Sequence, residues 1–483
     1  MTTMARAGSR LAAPAGQSGY WRMLSFLALA AITFAYQETS VLPALHSIDT
    51  TLPGATTSLT AFLESGYLVI AAVAAPTLGK LGDRTGKKRF LVLAMLTYFV
   101  GALGAGLAPS FAVLVVFRAI QGVAGAIFAL SFAITRDVAP DRVALSVGVL
   151  VGSFGVGITA GFASSGVVTA DLGWRFIFFI EAGLILLATA LVARYVPEAG
   201  ERTDVSADLP GSGLLGLGVG ALIIGLTIGP VTGWVSPVPI GLLVGAAVAS
   251  WAWVARERRV SEPLIDIAVL TQRDVMLPNL GSALAGYATF SVFLAVPKIA
   301  TVRRALPAVL AGHVDYGFAL PVTAVGLVMV PIGLGMITGG PTGGVVGRRY
   351  GGKWPFVGGL ALVGVTCALL AGFHDNLYAV GAWLYLLGAG FGLSVGAAGT
   401  FVTEAAPRGS TGVATAFNSL VRLVGGGIGA QVGTIIVISG RYPGTTVSHQ
   451  WTFVAVFAVA AALGIAGALA STLVPGRRSA PGA

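Results

Sequence analysis

The chain has 483 residues, of which 55% are hydrophobic and only 10% are charged, and its formal net charge is +10. A soluble globular domain usually carries about a quarter charged residues, so this composition excludes an ordinary soluble protein. The basic excess does not indicate nucleic-acid binding, because the basic residues lie in short segments between long apolar runs. Apolar runs of about 20 residues are typical of transmembrane helices.

The apolar runs predict about fourteen transmembrane helices along the chain. The first six are expected at 22–44, 57–80, 89–108, 111–133, 143–168 and 174–196. Two more are expected at 211–230 and 238–255. The last six are expected at 275–297, 318–340, 354–373, 377–402, 410–438 and 450–474. No small-residue cleavage site follows the first run, which we therefore interpret as a helix rather than a signal peptide.

The distribution of Lys and Arg predicts the orientation of these helices. With the N-terminus inside the cell, the inner segments contain 22 Lys and Arg residues and the outer segments contain five. Cytoplasmic segments of membrane proteins carry such an excess. An even number of helices then puts both termini in the cytoplasm, and we expect a multi-pass protein of the bacterial plasma (inner) membrane.

The longest polar breaks lie at 197–209 and 256–273, on either side of the seventh and eighth helices. They predict two six-helix halves separated by a linker that contains two extra transmembrane helices. The expected organisation is a cytoplasmic tail, an N-terminal half, the linker, a C-terminal half and a second cytoplasmic tail, at 1–21, 22–196, 197–273, 274–474 and 475–483.

An internal repeat supports this division. Residues 76–88 (PTLGKLGDRTGKK) match residues 341–353 (PTGGVVGRRYGGK) at seven positions with a constant offset of 265. Each segment follows the second helix of its six-helix block. A weaker match relates 150–158 to 420–428, each in a fifth helix. Two matches at corresponding places indicate a duplicated six-helix unit.

The segment Gly79-Lys-Leu-Gly-Asp-Arg-Thr-Gly-Lys-Lys-Arg89 resembles the signature that major facilitator transporters carry between helices 2 and 3. In that family the segment acts as a conformational latch between the two halves. The resemblance implies a latch formed by Gly79, Gly82, Asp83, Arg84, Gly86 and Arg136. We also expect the glycines to permit a tight cytoplasmic turn.

Two further helices carry motifs that are similar to those of the same family. Arg118-Ala-Ile-Gln121-Gly122-Val-Ala-Gly125 resembles the helix 4 motif, an intramembrane Arg followed by Gln-Gly. Helix 5 resembles the glycine-rich antiporter motif, although Ile158 stands where that motif has Pro. The matching glycines are Gly152, Gly155, Gly157 and Gly161.

Trp174-Arg175 at the start of helix 6, together with the two extra central helices, resembles the fourteen-helix drug:proton antiporter branch. The resemblance implies an all-α polytopic membrane protein of the major facilitator fold, with a substrate site between the halves. Helix 1 departs from this branch, because Gln37 stands where the branch has Asp and His46 stands where it has Pro.

Three acids and one Arg lie inside predicted spans at a similar depth, roughly 10 Å below the outer surface at 1.5 Å per residue. They are Glu38, Glu64, Glu181 and Arg118. Ionisable side chains inside a membrane are costly and are typical of proton pathways, so we expect these four to couple transport to protons. At an offset of 267, Tyr385 occupies the position that repeats Arg118, and the C-terminal half has no equivalent acids. The expected substrate-pocket residues are Gln37, Gln121, Tyr385, Asn418 and Arg422.

Other site chemistries lack their residue patterns. The single cysteine, Cys367, excludes a disulfide within the chain, and no His-Glu-x-x-His or complete phosphate loop occurs. We therefore expect no enzymatic activity, no cofactor and no metal site.

The sequence predicts a proton antiporter that exports amphipathic organic compounds, such as drugs, antibiotics or natural products, by alternating access. The expected partners are that small-molecule substrate, protons and the lipid bilayer, with no nucleic acid and with the chain as a monomer. One alternative is a transporter of a lipid, a siderophore or a nutrient. Another is a membrane sensor or scaffold that transports nothing.

Overall fold

The computed structural model describes residues 17–55, 61–199, 208–306, 310, 312–405, 411–445 and 447–474. This part of the chain contains no β-strand and is built from long helices. The first seven are α1 (Gln17–Ser40), α2 (Ala61–Thr85), α3 (Lys87–Gly106), α4 (Phe111–Val138), α5 (Val143–Asp171), α6 (Arg175–Tyr195) and α7 (Leu209–Thr232). The next seven are α8 (Pro237–Glu257), α9 (Arg273–Thr301), α10 (Val322–Tyr350), α11 (Lys353–Gly372), α12 (Leu377–Ala405), α13 (Thr411–Ser439) and α14 (Gln450–Thr472).

Within the described residues, thirteen of these helices are long and apolar enough to cross a membrane. The thirteen include every long helix except α2, which stays a predicted span. The expected class, an all-α polytopic membrane protein, is confirmed.

Several helices run beyond their predicted ends, and two of these extensions fall in the repeated segment. The sequence predicts that the second and tenth spans end at 80 and 340, but α2 continues to Thr85 and α10 continues to Tyr350. The expected glycine-rich turn is therefore much shorter than the motif. It consists of Gly86 (φ 128°) in the first copy and begins at Gly351 (φ 87°) in the second. Both conformations lie at positive φ, which glycine adopts without the steric cost of a Cβ.

Packing inside the two six-helix sets follows one pattern. Helix α1 packs against α5 and α6, and α9 packs against α13 and α14. The contact between α3 and α6 corresponds to the one between α11 and α14. The contact between α2 and α4 corresponds to the one between α10 and α12. Each helix of the first set therefore corresponds to the helix eight places later. We refer to α1–α6 as the N-bundle and to α9–α14 as the C-bundle.

The two bundles meet along two seams, α5 against α10 and α2 against α13. These seams are equivalent, since α2 corresponds to α10 and α5 corresponds to α13. Small residues permit close approach at the first seam. A Cβ added at Gly148 would lie 3.0 Å from the Cα of Pro341, and one added at Gly155 would lie 2.7 Å from the carbonyl oxygen of Gly333. Small residues at helix interfaces allow such backbone proximity in membranes.

The two extra helices form a hairpin on the outside of the second seam. Helix α7 packs against α2 and α13, whereas α8 contacts α7 and leaves most of its own surface exposed. Leu215, Ile223 and Trp253 of the hairpin are buried in one apolar cluster with Leu264 and Leu420. The hairpin therefore covers the α2–α13 seam.

Polar contacts fix the hairpin at one end. Arg256 Nε donates to both carboxylate oxygens of Asp208, at 3.0 Å to Oδ1 and 2.9 Å to Oδ2. Its Nη2 donates to Oδ1 at 2.8 Å. Asp208 also accepts the Gly211 amide at 3.0 Å and so caps the start of α7. The Lys80 ammonium of α2 donates to the backbone carbonyl of Glu262 at 2.8 Å.

Candidate functional site

A cavity lies between the N-bundle and the C-bundle. Its walls come from α1, α4 and α5 on one side and from α9, α10, α12 and α13 on the other. The space not filled by atoms, including the part open to solvent, is about 620 Å³. Because both bundles contribute to it, any relative movement of the bundles changes its shape.

The cavity wall is mainly aromatic. Its phenylalanines are Phe34, Phe128, Phe154, Phe290, Phe293 and Phe391. Those of the N-bundle contact one another, with the ring centroids of Phe128 and Phe154 5.6 Å apart, and those of Phe290 and Phe293 in the C-bundle are 5.4 Å apart. Phenylalanine rings bury a large apolar area and stack on flat ligands. The walls therefore suit an apolar or aromatic ligand.

One carboxyl group faces this cavity. Glu38, near the end of α1, is only 2% exposed and lines the wall. Tyr67 of α2 lies near its side chain, and Arg118 and Arg422 act on it electrostatically. Its Oε1 atom has no hydrogen-bond partner in the described part of the chain.

One guanidinium faces the same cavity from the opposite bundle. Arg422 of α13 lines the wall, with its Cζ atom 5.8 Å from the centroid of the Phe391 ring. It interacts electrostatically with Glu38. No hydrogen bond or ion pair joins its side chain to any other described residue, although its backbone carbonyl packs closely on Gly286 of α9. The cavity thus has one acidic and one basic group on opposite walls.

A second acid lies behind the cavity in a buried polar network, formed by Ser40, Arg118, Gln121 and Glu181. Arg118 Nη1 donates to Gln121 Oε1 at 2.7 Å, and Gln121 Nε2 donates to Glu181 Oε2 at 3.3 Å. The Ser40 hydroxyl donates to the other carboxylate oxygen at 2.7 Å. All four side chains are at most 1% exposed, and none lines the cavity.

Arg118 also ties three helices together. Its Nε donates to the backbone carbonyl of Leu63 on α2 at 3.2 Å, and its Nη1 donates to that of Gln37 on α1 at 3.4 Å. Its guanidinium lies 4.8 Å from the centroid of the Tyr67 ring. The structure therefore brings Arg118, Gln121 and Glu181 into one network and gives Glu38 a separate position on the cavity. The side chain of Glu64 lies outside the described residues.

Of the five residues expected in the substrate pocket, Arg422 is the one that lines the cavity. Gln37 is fully buried and Gln121 belongs to the polar network. Asn418 donates to Asn279 Oδ1 at 3.0 Å and to Ser282 Oγ at 2.8 Å, and so links α13 to α9. Tyr385 is 38% exposed, and its hydroxyl lies 3.1 Å from Thr338 Oγ1 on α10.

The helix 5 glycines contact two different neighbours. Gly152 and Gly155 face α10 across the seam between the bundles, where a Cβ at Gly152 would lie 3.3 Å from Pro341. Gly157 and Gly161 face α1 within the N-bundle, and a Cβ at either would clash with the backbone of that helix. Helix α5 is therefore packed tightly on both sides.

The expected latch residues lie at one end of the molecule. Asp83 pairs with Lys87 at 3.0 Å, and Lys87 also contacts Asp137 at the end of α4. A Cβ added at Gly82 would lie 3.1 Å from the Leu130 side chain of α4, and one added at Gly86 would lie 2.9 Å from the Glu198 carboxylate. One added at Gly79 would meet no atom within 4 Å. Arg84 is exposed, and Arg136 lies 3.7 Å from Asp137 Oδ1.

Sequence reasoning missed the phenylalanines that line the cavity. A transmembrane helix is apolar toward lipid and toward an apolar cavity alike, so periodicity does not distinguish the two. A signal was available only for Phe34 and Phe128, which lie in helices that also carry the buried charges of Glu38 and Arg118. No group of three or more metal-ligating side chains occurs in the part of the chain that the structure describes.

Comparisons with known proteins agree with this architecture. The family model of the Major Facilitator Superfamily matches residues 27–430. The tetracenomycin C resistance and export protein of Streptomyces glaucescens is 30% identical over 433 residues, which cover 87% of this chain and 76% of that protein. The multidrug resistance protein Stp of Mycobacterium tuberculosis (strain ATCC 25618 / H37Rv) is 27% identical over 381 residues, with coverages of 78% and 68%.

A third relative is considerably longer than this chain. It is an uncharacterised major facilitator-type transporter of the same Mycobacterium tuberculosis strain, 31% identical over 447 residues. The matched region covers 90% of this chain but only 62% of that relative. With the family model extending from α1 into α13, the chain belongs to the Major Facilitator Superfamily and is a membrane transporter rather than an enzyme.

Proposed function

We propose that this protein is a proton antiporter of the bacterial plasma membrane that exports amphipathic organic compounds by alternating access. The cavity between the bundles carries this proposal, because it offers aromatic walls together with one acidic and one basic group. An amphipathic ligand needs both kinds of surface. The names of the relatives point in the same direction, since one refers to antibiotic export and another to multidrug resistance.

The two seams supply the movable parts. Alternating access in this type of fold is a rocking of one half against the other around a fixed site. The packing of α5 on α10 and of α2 on α13 gives two seams at which the bundles can turn against each other. Monomers suffice for this mechanism, since a single chain contains both bundles and the cavity.

Protons would act at two carboxyl groups with different surroundings. Glu38 lies on the cavity, so a proton there competes directly with a ligand group that hydrogen-bonds to the carboxylate. Glu181 lies in the polar network, so a proton there changes the contacts among α1, α4 and α6 instead. Each entering proton supplies roughly 2.3 kcal/mol per 100 mV of membrane potential. The pH gradient adds about 1.4 kcal/mol per unit.

The test uses the purified protein in liposomes that contain a pH-sensitive dye. A pH gradient is imposed, and lipophilic cations, neutral antibiotics and anionic natural products are added in turn. Proton movement that depends on the added compound and disappears in Glu38→Gln or Glu181→Gln supports proton antiport. Compound flux without proton movement would exclude the antiport mechanism, and no flux with any compound would exclude the exporter.

A further inference from the structure

The charged groups of the cavity have incomplete contacts, and this suggests what the cavity binds. Arg422 has no hydrogen bond or ion pair with the rest of the described chain, and one oxygen of Glu38 has no hydrogen-bond partner. The two groups interact electrostatically but do not form a direct ion pair. Glu38 is buried and Arg422 is half-buried, so each charge is largely removed from water and needs a complementary atom close to it.

A third polar atom in the cavity wall shares this property. The hydroxyl of Thr289 on α9 is buried, lines the cavity and has no hydrogen-bond partner in the described residues. Thr289 and Arg422 belong to the C-bundle, whereas Glu38 belongs to the N-bundle. The remaining wall is largely apolar, with phenylalanines from both bundles.

We infer that the cavity selects aromatic zwitterions, in which an anionic oxygen binds Arg422 and an ammonium or N–H group binds Glu38. Such a ligand supplies a partner of opposite charge to both Arg422 and Glu38 and leaves the cavity electrically neutral. A purely cationic ligand is attracted by Glu38 and by the rings but repelled by Arg422. A purely anionic ligand is attracted by Arg422 but repelled by Glu38. This inference rests on the proposed function, because it concerns the same cavity.

The position of the two charges adds a consequence for transport. Glu38 and Arg422 lie on different bundles, so a zwitterion that contacts both links the N-bundle to the C-bundle. A proton on Glu38 removes one of these contacts, and the ligand then remains attached to the C-bundle alone. The charged groups therefore specify the ligand class and also connect ligand release to protonation.

The test is a binding measurement with four probes that share one pyrene ring and differ in charge. The zwitterion is 1-pyrenylalanine, the cation is 2-(1-pyrenyl)ethylamine, and the anion is 3-(1-pyrenyl)propanoate. The neutral probe is the N-acetyl methyl ester of 1-pyrenylalanine. Affinities for the full-length protein in detergent at pH 7 are read from pyrene fluorescence, without any transport step.

We expect the zwitterion to bind most tightly to the unmodified protein. Arg422→Gln should lower the affinity for the anion and for the zwitterion by about tenfold or more, which is the effect of losing one charge-assisted contact. The same substitution should raise the affinity for the cation. Glu38→Gln should lower the affinity for the cation and for the zwitterion and raise the affinity for the anion. The charge-conserving variants Arg422→Lys and Glu38→Asp should recover part of the lost affinity. This recovery distinguishes recognition from misfolding.

Other results overturn the inference. They are equal affinity for all four probes, no binding of any probe, or affinities of the charged probes that do not respond to the two substitutions. The proposed function is judged separately in liposomes. If the protein exports cationic dyes but its probe affinities do not follow the expected charge pattern, the exporter proposal stands and the zwitterion site is rejected. If the probe affinities follow the expected charge pattern but the protein transports no compound, the zwitterion site stands and the exporter proposal is rejected.

Discussion

The side-chain amide of Gln121 donates a hydrogen bond to the carboxylate of Glu181 over 3.3 Å, and so connects α4 to α6 inside the N-bundle. The same amide group accepts from Arg118 through its oxygen. Gln121 therefore orients one acid and one base with a single planar group. Glu38, by contrast, lies on the cavity outside this network.

This difference predicts distinct effects for the two acids. Glu181→Gln should leave the affinity for a transported compound unchanged, because the side chain does not line the cavity, but should abolish proton movement coupled to that compound. Glu38→Gln should change affinity and proton movement together. Ligand titration in detergent and the liposome pH assay measure the two quantities. Normal proton coupling in Glu181→Gln would remove the network from the mechanism.

The seam between α5 and α10 depends on the absence of a side chain at Gly155. A Cβ there would lie 2.7 Å from the carbonyl oxygen of Gly333 and 2.8 Å from the amide of Ile337, and these backbone atoms cannot move aside. Gly155→Ala should therefore destabilise the protein by about 1–3 kcal/mol, as overpacking does, and should slow transport strongly. Thermal unfolding and efflux measure these effects.

Gly183 of α6 provides the matched control for that experiment. A Cβ at Gly183 would meet no atom within 4 Å. Gly183→Ala should stabilise the helix by about 0.5–1 kcal/mol, because Ala loses less conformational freedom than Gly on folding. Equal effects of the Gly155 and Gly183 substitutions would contradict the role assigned to the seam.

The repeated glycines Gly86 and Gly351 are expected to differ in tolerance. Both have positive φ, so replacement by Ala should cost about 1–3 kcal/mol of strain at either position. At Gly86 the new Cβ would also lie 2.9 Å from the Glu198 carboxylate, whereas at Gly351 it would meet no atom within 4 Å. Thermal unfolding should show Gly86→Ala as the less stable variant. Adding Glu198→Ala should remove the difference between the two sites but not the strain.

The attachment of the hairpin is predicted to depend on pH in a defined direction. Hydrogen bonds from Arg256 lower the pKa of Asp208, and the Gly211 amide acts in the same direction. A carboxyl with a lowered folded-state pKa contributes stability that is fully present above its ordinary pKa of about 4. This contribution is lost only as the pH falls through the lowered value. The contribution of the Asp208–Arg256 ion pair should therefore be constant from neutral pH to about pH 4.

Asp208→Asn tests this attachment at neutral pH. The amide can still cap α7, but it loses the charge that holds Arg256. We expect faster trypsin cleavage after the exposed Arg258 and Arg259, which follow α8. Asp266→Asn is the control, since Asp266 caps the short helix Ile267–Leu270 through the Ala268 amide at 2.9 Å. Similar cleavage of both variants would argue against the ion pair as the attachment.

Much of the fold was predictable because the membrane imposes a simple rule. Each helix must bury about 20 apolar residues, so a run such as 377–402 locates α12 without knowledge of its neighbours. The ends of α2 and α10 were not predictable in this way. Beyond the membrane a helix ends where the backbone allows it, and there Gly86 and Gly351 decide rather than hydropathy.

The site was predictable only in part. The cost of charge in a membrane identified Glu38, Glu181, Arg118 and Arg422 from the sequence as residues that need a partner. It did not indicate which partner each one has, since that depends on helix rotation. Tyr385 and Asn418 show the limit, because both are polar residues in spans but contact other helices rather than the cavity.

The sequence by itself determined the class of the protein, the positions of its helices and its duplicated organisation, because apolar run length and repeated motifs are local properties. Only the tertiary structure decided that Glu38 and Arg422 face one cavity while Glu181 lies behind it with Gln121. It also decided that the hairpin covers the α2–α13 seam. These relations depend on how helices rotate and pack against partners far away in the chain, and lipid-facing and cavity-facing apolar surfaces have the same composition.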